Sequence, residues 1–172
     1  MRAGDATAAY LSARTELLGR PGPPGPERRR ALTAITDDWL HALFVSSGAA
    51  ALKASLVAIG GYGRGDLAPG SDLDVLLLHD ANVPGPEVTA VADRLWYPIW
   101  DAGMRLDHAV RAPAEARRLA ASDLRVLLGL LDARTVVGDE AMTRSLRESV
   151  LGDWRALAPR RLGELHEGVR ER

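Results

Sequence analysis

The chain has 172 residues and carries 22 Lys and Arg against 23 Asp and Glu, a net charge of −1. That length allows one domain with a real core, and that charge gives no general attraction to nucleic acid or an anionic membrane. Cysteine is absent, which excludes disulfides and thiolate metal sites, and no apolar run reaches membrane-spanning length.

The N-terminus lacks the pattern of a signal peptide, so the expectation is a cytoplasmic protein whose partners include neither nucleic acid nor membrane. Residues 5–18 are expected to form a short helix, with Ala8, Leu11, Leu17 and Leu18 as its apolar positions. Pro21-Gly22-Pro23-Pro24-Gly25-Pro26 then reads as a linker, because its prolines remove backbone donors and fix φ. Residues 27–46 resume as helix, with Leu32, Ile35, Trp39 and Leu43 at helical spacing and Gly48 just past the end. Arg28-Arg29-Arg30 in its first turn reads as a solvated face. Residues 56–59 form a short strand that feeds a glycine-rich turn, and residues 72–78 form the next strand. Past a turn-rich loop, residues 87–102 read as an amphipathic helix that Pro98 should kink or split. Residues 104–110 alternate as a third strand, with Met104, Leu106, His108 and Val110 on one side and Arg105, Asp107 and Ala109 on the other. The remainder is expected to be helical, with helices at 113–120, 123–133 capped by Ser122, 139–150, and 153 to the end. The pattern is α+β, a small mixed sheet flanked by helices with a C-terminal helical part.

The chemistry concentrates in Leu56-Val57-Ala58-Ile59-Gly60-Gly61-Tyr62-Gly63-Arg64-Gly65 and in Ser71-Asp72-Leu73-Asp74. Glycines at a tight turn let backbone N–H groups approach a phosphate that a β-carbon would hold off. The spacing is wrong for a dinucleotide fingerprint, and no Gly-Lys-Ser/Thr of a P-loop occurs. Asp72 and Asp74, two apart at a strand start, leave from one face. An apolar strand accepts such a pair when a cation or water meets it, and magnesium suits hard oxygen ligands. The competing reading is a glycine hairpin with solvated aspartates. His41, His79, His108 and His166 show no ligand spacing.

These residues resemble the signature of the DNA polymerase β-like nucleotidyltransferase superfamily. More narrowly, Gly60 to Leu67 with Ser71-Asp72-Leu73-Asp74 is similar to the N-terminal domain of the bifunctional PII uridylyltransferase/uridylyl-removing enzymes. The similarity continues through Trp100-Asp101-Ala102-Gly103, Asp107-His108-Ala109-Val110-Arg111 and Leu130-Leu131-Asp132-Ala133-Arg134. The resemblance implies a polymerase β-like nucleotidyltransferase fold in which Asp72 and Asp74 bind Mg²⁺ and Gly60 and Gly61 hold the triphosphate. It makes Arg64 and Ser71 phosphate contacts by proximity, and Asp107 either a third metal carboxylate or a surface aspartate. The implied reaction moves UMP or AMP from UTP or ATP to a tyrosine of the PII signalling protein and releases pyrophosphate. The expected division is 1–26, an N-terminal helix and Pro/Gly linker; 27–112, the nucleotidyltransferase core; and 113–172, a helical extension. Relatives continue into HD and ACT domains, so the chain is expected to be truncated before them. Two alternatives stay open: transfer to another acceptor, and a nucleotide-binding fragment without turnover.

Overall fold

The computed structural model describes residues 2–22 and 25–170, apart from the side chains of 160, 161 and 164–170. Pro23 and Pro24 of the expected linker and the side chain of His166 lie outside the described residues. Helix α1 (Ala3–Gly19) packs on α2 (Pro26–Ser47). The Tyr10 ring stacks on Trp39 at a centroid separation of 4.1 Å, and the Trp39 indole donates to the Thr7 hydroxyl. The buried face of α1 therefore follows Ala3, Ala6, Tyr10 and Leu17, while the expected Ala8 and Leu11 face outward. A large ring has more to gain from burial than Ala8 or Leu11, and it sets the stripe. Gly48 ends α2 in the left-handed conformation, φ 85°.

A short 3₁₀ turn (Ala49–Leu52) leads into β1 (Ser55–Ala58), which is buried along its whole length. A single helical turn, α3 (Gly60–Gly63), follows, then β2 (Leu73–Leu78), α4 (Gly85–Asp101) and β3 (Leu106–Arg111). Pro98 does not split α4, because Val91, Leu95, Trp96 and Ile99 bury one continuous stripe against the sheet. Helices α5 (Pro113–Ser122) and α6 (Leu124–Leu131) lead to β4 (Arg134–Gly138) and α7 (Glu140–Arg170).

Three expectations for this last part are corrected. Residues 134–138, left between two expected helices, are a strand: Thr135, Val136 and Val137 are β-branched, and β1 offers an edge to pair with. The helices expected at 139–150 and from 153 are one, since a single Gly152 costs only about 1 kcal/mol in a helix otherwise held by packing. Finally, Asp123 rather than Ser122 caps α6, its carboxylate accepting from the N–H groups of Arg125 and Val126.

The sheet runs β3-β2-β1-β4, with β1 antiparallel to both neighbours and β2 parallel to β3. Leu56, Ala58, Leu73, Val75 and Leu77 face α1, α2 and α4, whereas Val57, Leu76 and Leu78 face α5, α6 and α7. This is the expected α+β architecture with a small mixed sheet. No described helix is long and apolar enough to cross a membrane.

Candidate active site

Period-two alternation along β2 places Asp74 on the face of Leu76 and Leu78, the face that α5–α7 cover further along. Parallel pairing sets Asp107 of β3 directly beside Asp74. Burial, and then the charges of Asp107 and Asp72, hold the Asp74 carboxyl above its ordinary value. Asp72 is exposed at the mouth of the strand, where it forms an ion pair with Arg105, Nε to Oδ1 2.7 Å. Another Arg105 nitrogen donates to the Gly70 carbonyl.

Among the described residues, no three acidic or histidine side chains close into a metal-ligand cluster, and Asp72 is paired with Arg105. The donor set nonetheless fits a hard divalent cation. Carboxylate oxygens are the ligands such an ion takes, and Asp74 sits among like charges that a cation would neutralise.

The glycine turn adjoins these carboxylates. Gly60 has φ 56°, and a Cβ placed there would lie 3.4 Å from Asp74 Oδ2. The opening N–H groups of α3 have no intrahelical acceptor, so they are free to bind an anion. Gly63 faces the other way: an added Cβ would come within 2.2 Å of the Asp132 carbonyl oxygen. Arg64 is exposed and pairs with Asp132, and Ser71 is exposed in the loop before β2. A groove of about 760 Å³ opens beside the turn between β4 and α7, lined by Gly63, Arg64, Arg134, Arg144 and Arg147 among others. The structure thus gathers Asp72, Asp74, Asp107, Gly60 and Gly61 at one end of the sheet. Arg64 and Ser71 stand at its margin.

Sequence reasoning missed the support of the turn. The Tyr62 hydroxyl donates to Asp37 Oδ1 at 2.6 Å, and Arg134 donates to both Asp37 oxygens at 2.8 and 3.1 Å. Burial, followed by the Asp37 charge, pushes the Tyr62 hydroxyl well above its ordinary value, so it stays protonated. Asp37 lies on a helix with no unusual local pattern, and Arg134 lies just past an expected helix, where no strand was expected. The family similarity of Leu130-Leu131-Asp132-Ala133-Arg134 is the one signal at residue 134.

A family model described as "Nucleotidyltransferase domain" matches residues 44–128. A Streptomyces coelicolor protein described as a bifunctional uridylyltransferase/uridylyl-removing enzyme is 55% identical over 163 residues, covering 95% of this chain and 19% of that protein. A Mycobacterium tuberculosis protein of the same description is 50% identical over 113 residues, covering 66% of this chain and 14% of its own length. The chain therefore spans 19% or less of the length of these relatives. Among solved structures, a toxin-antitoxin crystal structure aligns with 77% of this chain and 98% of its own at a TM-score of 0.46 and 9% identity, too loose a likeness to build on.

Proposed function

We propose that this chain, whose residues 44–128 match the nucleotidyltransferase domain model, transfers a nucleoside monophosphate, UMP or AMP, from UTP or ATP to a tyrosine of a PII signalling protein. The observation that carries the reading is the Asp74–Asp107 register pair beside the left-handed Gly60. The names of the Streptomyces and Mycobacterium relatives support uridylyl transfer.

In this mechanism Gly60 and Gly61 present backbone N–H groups to the triphosphate, and Arg64 and Ser71 reach its exposed side. Asp72 and Asp74, with Asp107 as the third carboxylate, would hold Mg²⁺, which supplies positive charge against the phosphate oxygens. Arg105 must leave Asp72 for that carboxylate to serve. The acceptor hydroxyl gives up its proton to solvent and its oxygen bonds the α-phosphorus while the α–β anhydride bond breaks and pyrophosphate departs. Holding donor and acceptor in line supplies most of the acceleration, since little covalent chemistry is left to the protein. The domains proposed on this reading are the core at 27–112, preceded by 1–26 and followed by 113–172, with cytoplasm as the compartment.

Incubation of the chain with PII protein, Mg²⁺ and labelled UTP or ATP tests the proposal. Label should enter PII, and the Asp72→Ala plus Asp74→Ala variant should transfer none. Label that survives both substitutions removes the assigned roles. Nucleotide consumption without PII labelling points to another acceptor. Binding without pyrophosphate release points to a nucleotide-binding fragment, a reading favoured by the Arg105–Asp72 pair that occupies one carboxylate.

A further inference from the structure

A four-residue helix cannot hold its own shape, because nucleating one turn fixes several dihedrals for very few hydrogen bonds. Whatever α3 binds, its geometry must be imposed from outside. We propose that Asp37 and Arg134 are positioning residues that fix the glycine turn for the triphosphate, acting through Tyr62 and Gly63. This rests on the nucleotidyltransferase reading above.

The bonds all converge on the end of the turn that follows Gly60 and Gly61. Arg134 Nε donates to the Gly63 carbonyl at 3.2 Å and its Nη2 to the Tyr62 carbonyl at 3.4 Å. The same guanidinium grips both Asp37 oxygens and lies 5.5 Å from the centre of the Tyr62 ring. Tyr62 is 1% exposed, and its hydroxyl completes the circuit on Asp37. The turn is therefore tied to α2 and β4 by its last two residues, while its first two keep their N–H groups for a ligand. Arg suits this place because one planar fork serves a carboxylate and two carbonyls at once, which an ammonium cannot do.

A fault in the sheet aims Arg134. The β1–β4 register runs Ser55 to Gly138 and Leu56 to Val137, then shifts so that Val57 faces Thr135 and Ala58 faces Arg134. Unbroken pairing would set Thr135 opposite Ala58 and turn Arg134 to the opposite face, away from α2. The bulge, one extra residue in β4, brings Arg134 onto the face of Ala58, where Asp37 waits. Edge bulges re-aim side chains, and this one re-aims the residue that holds the turn.

The test uses the full chain and four variants: Tyr62→Phe, Asp37→Asn, Arg134→Lys, and Arg117→Gln as a control. Arg117 forms a bidentate pair with Asp153 between α5 and α7 and touches no part of the turn. Affinity for Mg²⁺ with UTP or ATP is measured by calorimetry well below each variant's melting temperature, alongside kcat and KM. Asp37→Asn and Arg134→Lys should each weaken nucleotide binding by about tenfold or more, as small misplacements of a binding group do. Combining the two should add little, because they disable one unit. Arg117→Gln should lower the melting temperature slightly and leave affinity unchanged. Folded Asp37→Asn and Arg134→Lys variants that bind as tightly as the parent overturn the proposal. Should those two fail to fold, Tyr62→Phe, which removes one hydroxyl, decides it by the same comparison. A parent chain that binds no nucleotide overturns the underlying reading, whereas parent binding with unchanged variants overturns this inference alone.

Discussion

At the scale of single residues, Asp74 bears most of the tension in the site. Its carboxyl titrates above the ordinary value of 3.8 because burial, then Asp107, then Asp72 disfavour the charge. A carboxyl that holds its proton more firmly when folded contributes stability that is full below the unfolded pKa and is lost as pH rises through the folded one. Near neutral pH the ionised Asp74 therefore works against the fold. Asp74→Asn should raise the melting temperature in metal-free neutral buffer, and the gain should vanish below about pH 3.8. Thermal melts from acid to neutral pH check this; a variant no more stable than its parent at neutral pH counts against it. Added Mg²⁺ should narrow the difference by relieving the parent's repulsion.

At the scale of elements, the cap of α6 offers a clean measurement. Asp123 accepts two backbone N–H bonds, whereas the Ser122 hydroxyl turns back to the Leu119 carbonyl. Asp123→Ala should cost about 1 kcal/mol in denaturant unfolding, and Ser122→Ala distinctly less. Equal effects would contradict the assignment of the cap. The sequence misleads here because both residues are good caps, and only the observed end of α5 at Ser122 decides between them. Elements with a plain pattern were legible: α2 through Leu32, Trp39 and Leu43, β2 through its apolar run after the aspartates, β3 through alternation. The parity of Asp72, Asp74 and Asp107 was legible for the same reason. The strand β4 was not, because three β-branched residues in a region rich in leucine, alanine and arginine become a strand only where an edge awaits them. Asp37 and Arg134 are 97 residues apart and meet through a register shift that no local pattern announces.

For the whole molecule, the part after residue 133 is structural to the sheet it follows. Its strand pairs with β1, and Leu146 and Val150 cover Val57, Leu76 and Leu78. The buried Ser55 and Thr143 hydroxyls also meet at 3.0 Å across this contact. Removing residues 134–172 should abolish cooperative unfolding, because β1 would lose one edge partner and the sheet much of one apolar face. Circular dichroism during a denaturant titration measures this, and a sharp transition in the shortened chain would refute it. The placement of β4 also sets an order in time. During synthesis, β1, the glycine turn and both aspartates of β2 leave the ribosome long before Arg134 does, so the nascent chain carries a complete signature on an unclosed sheet. Until the fourth strand arrives, that bare edge is open to pairing with any neighbouring polypeptide. On the proposed function, full affinity for nucleotide would be reached only when translation has passed the bulge, making the last strand the timekeeper of the first turn.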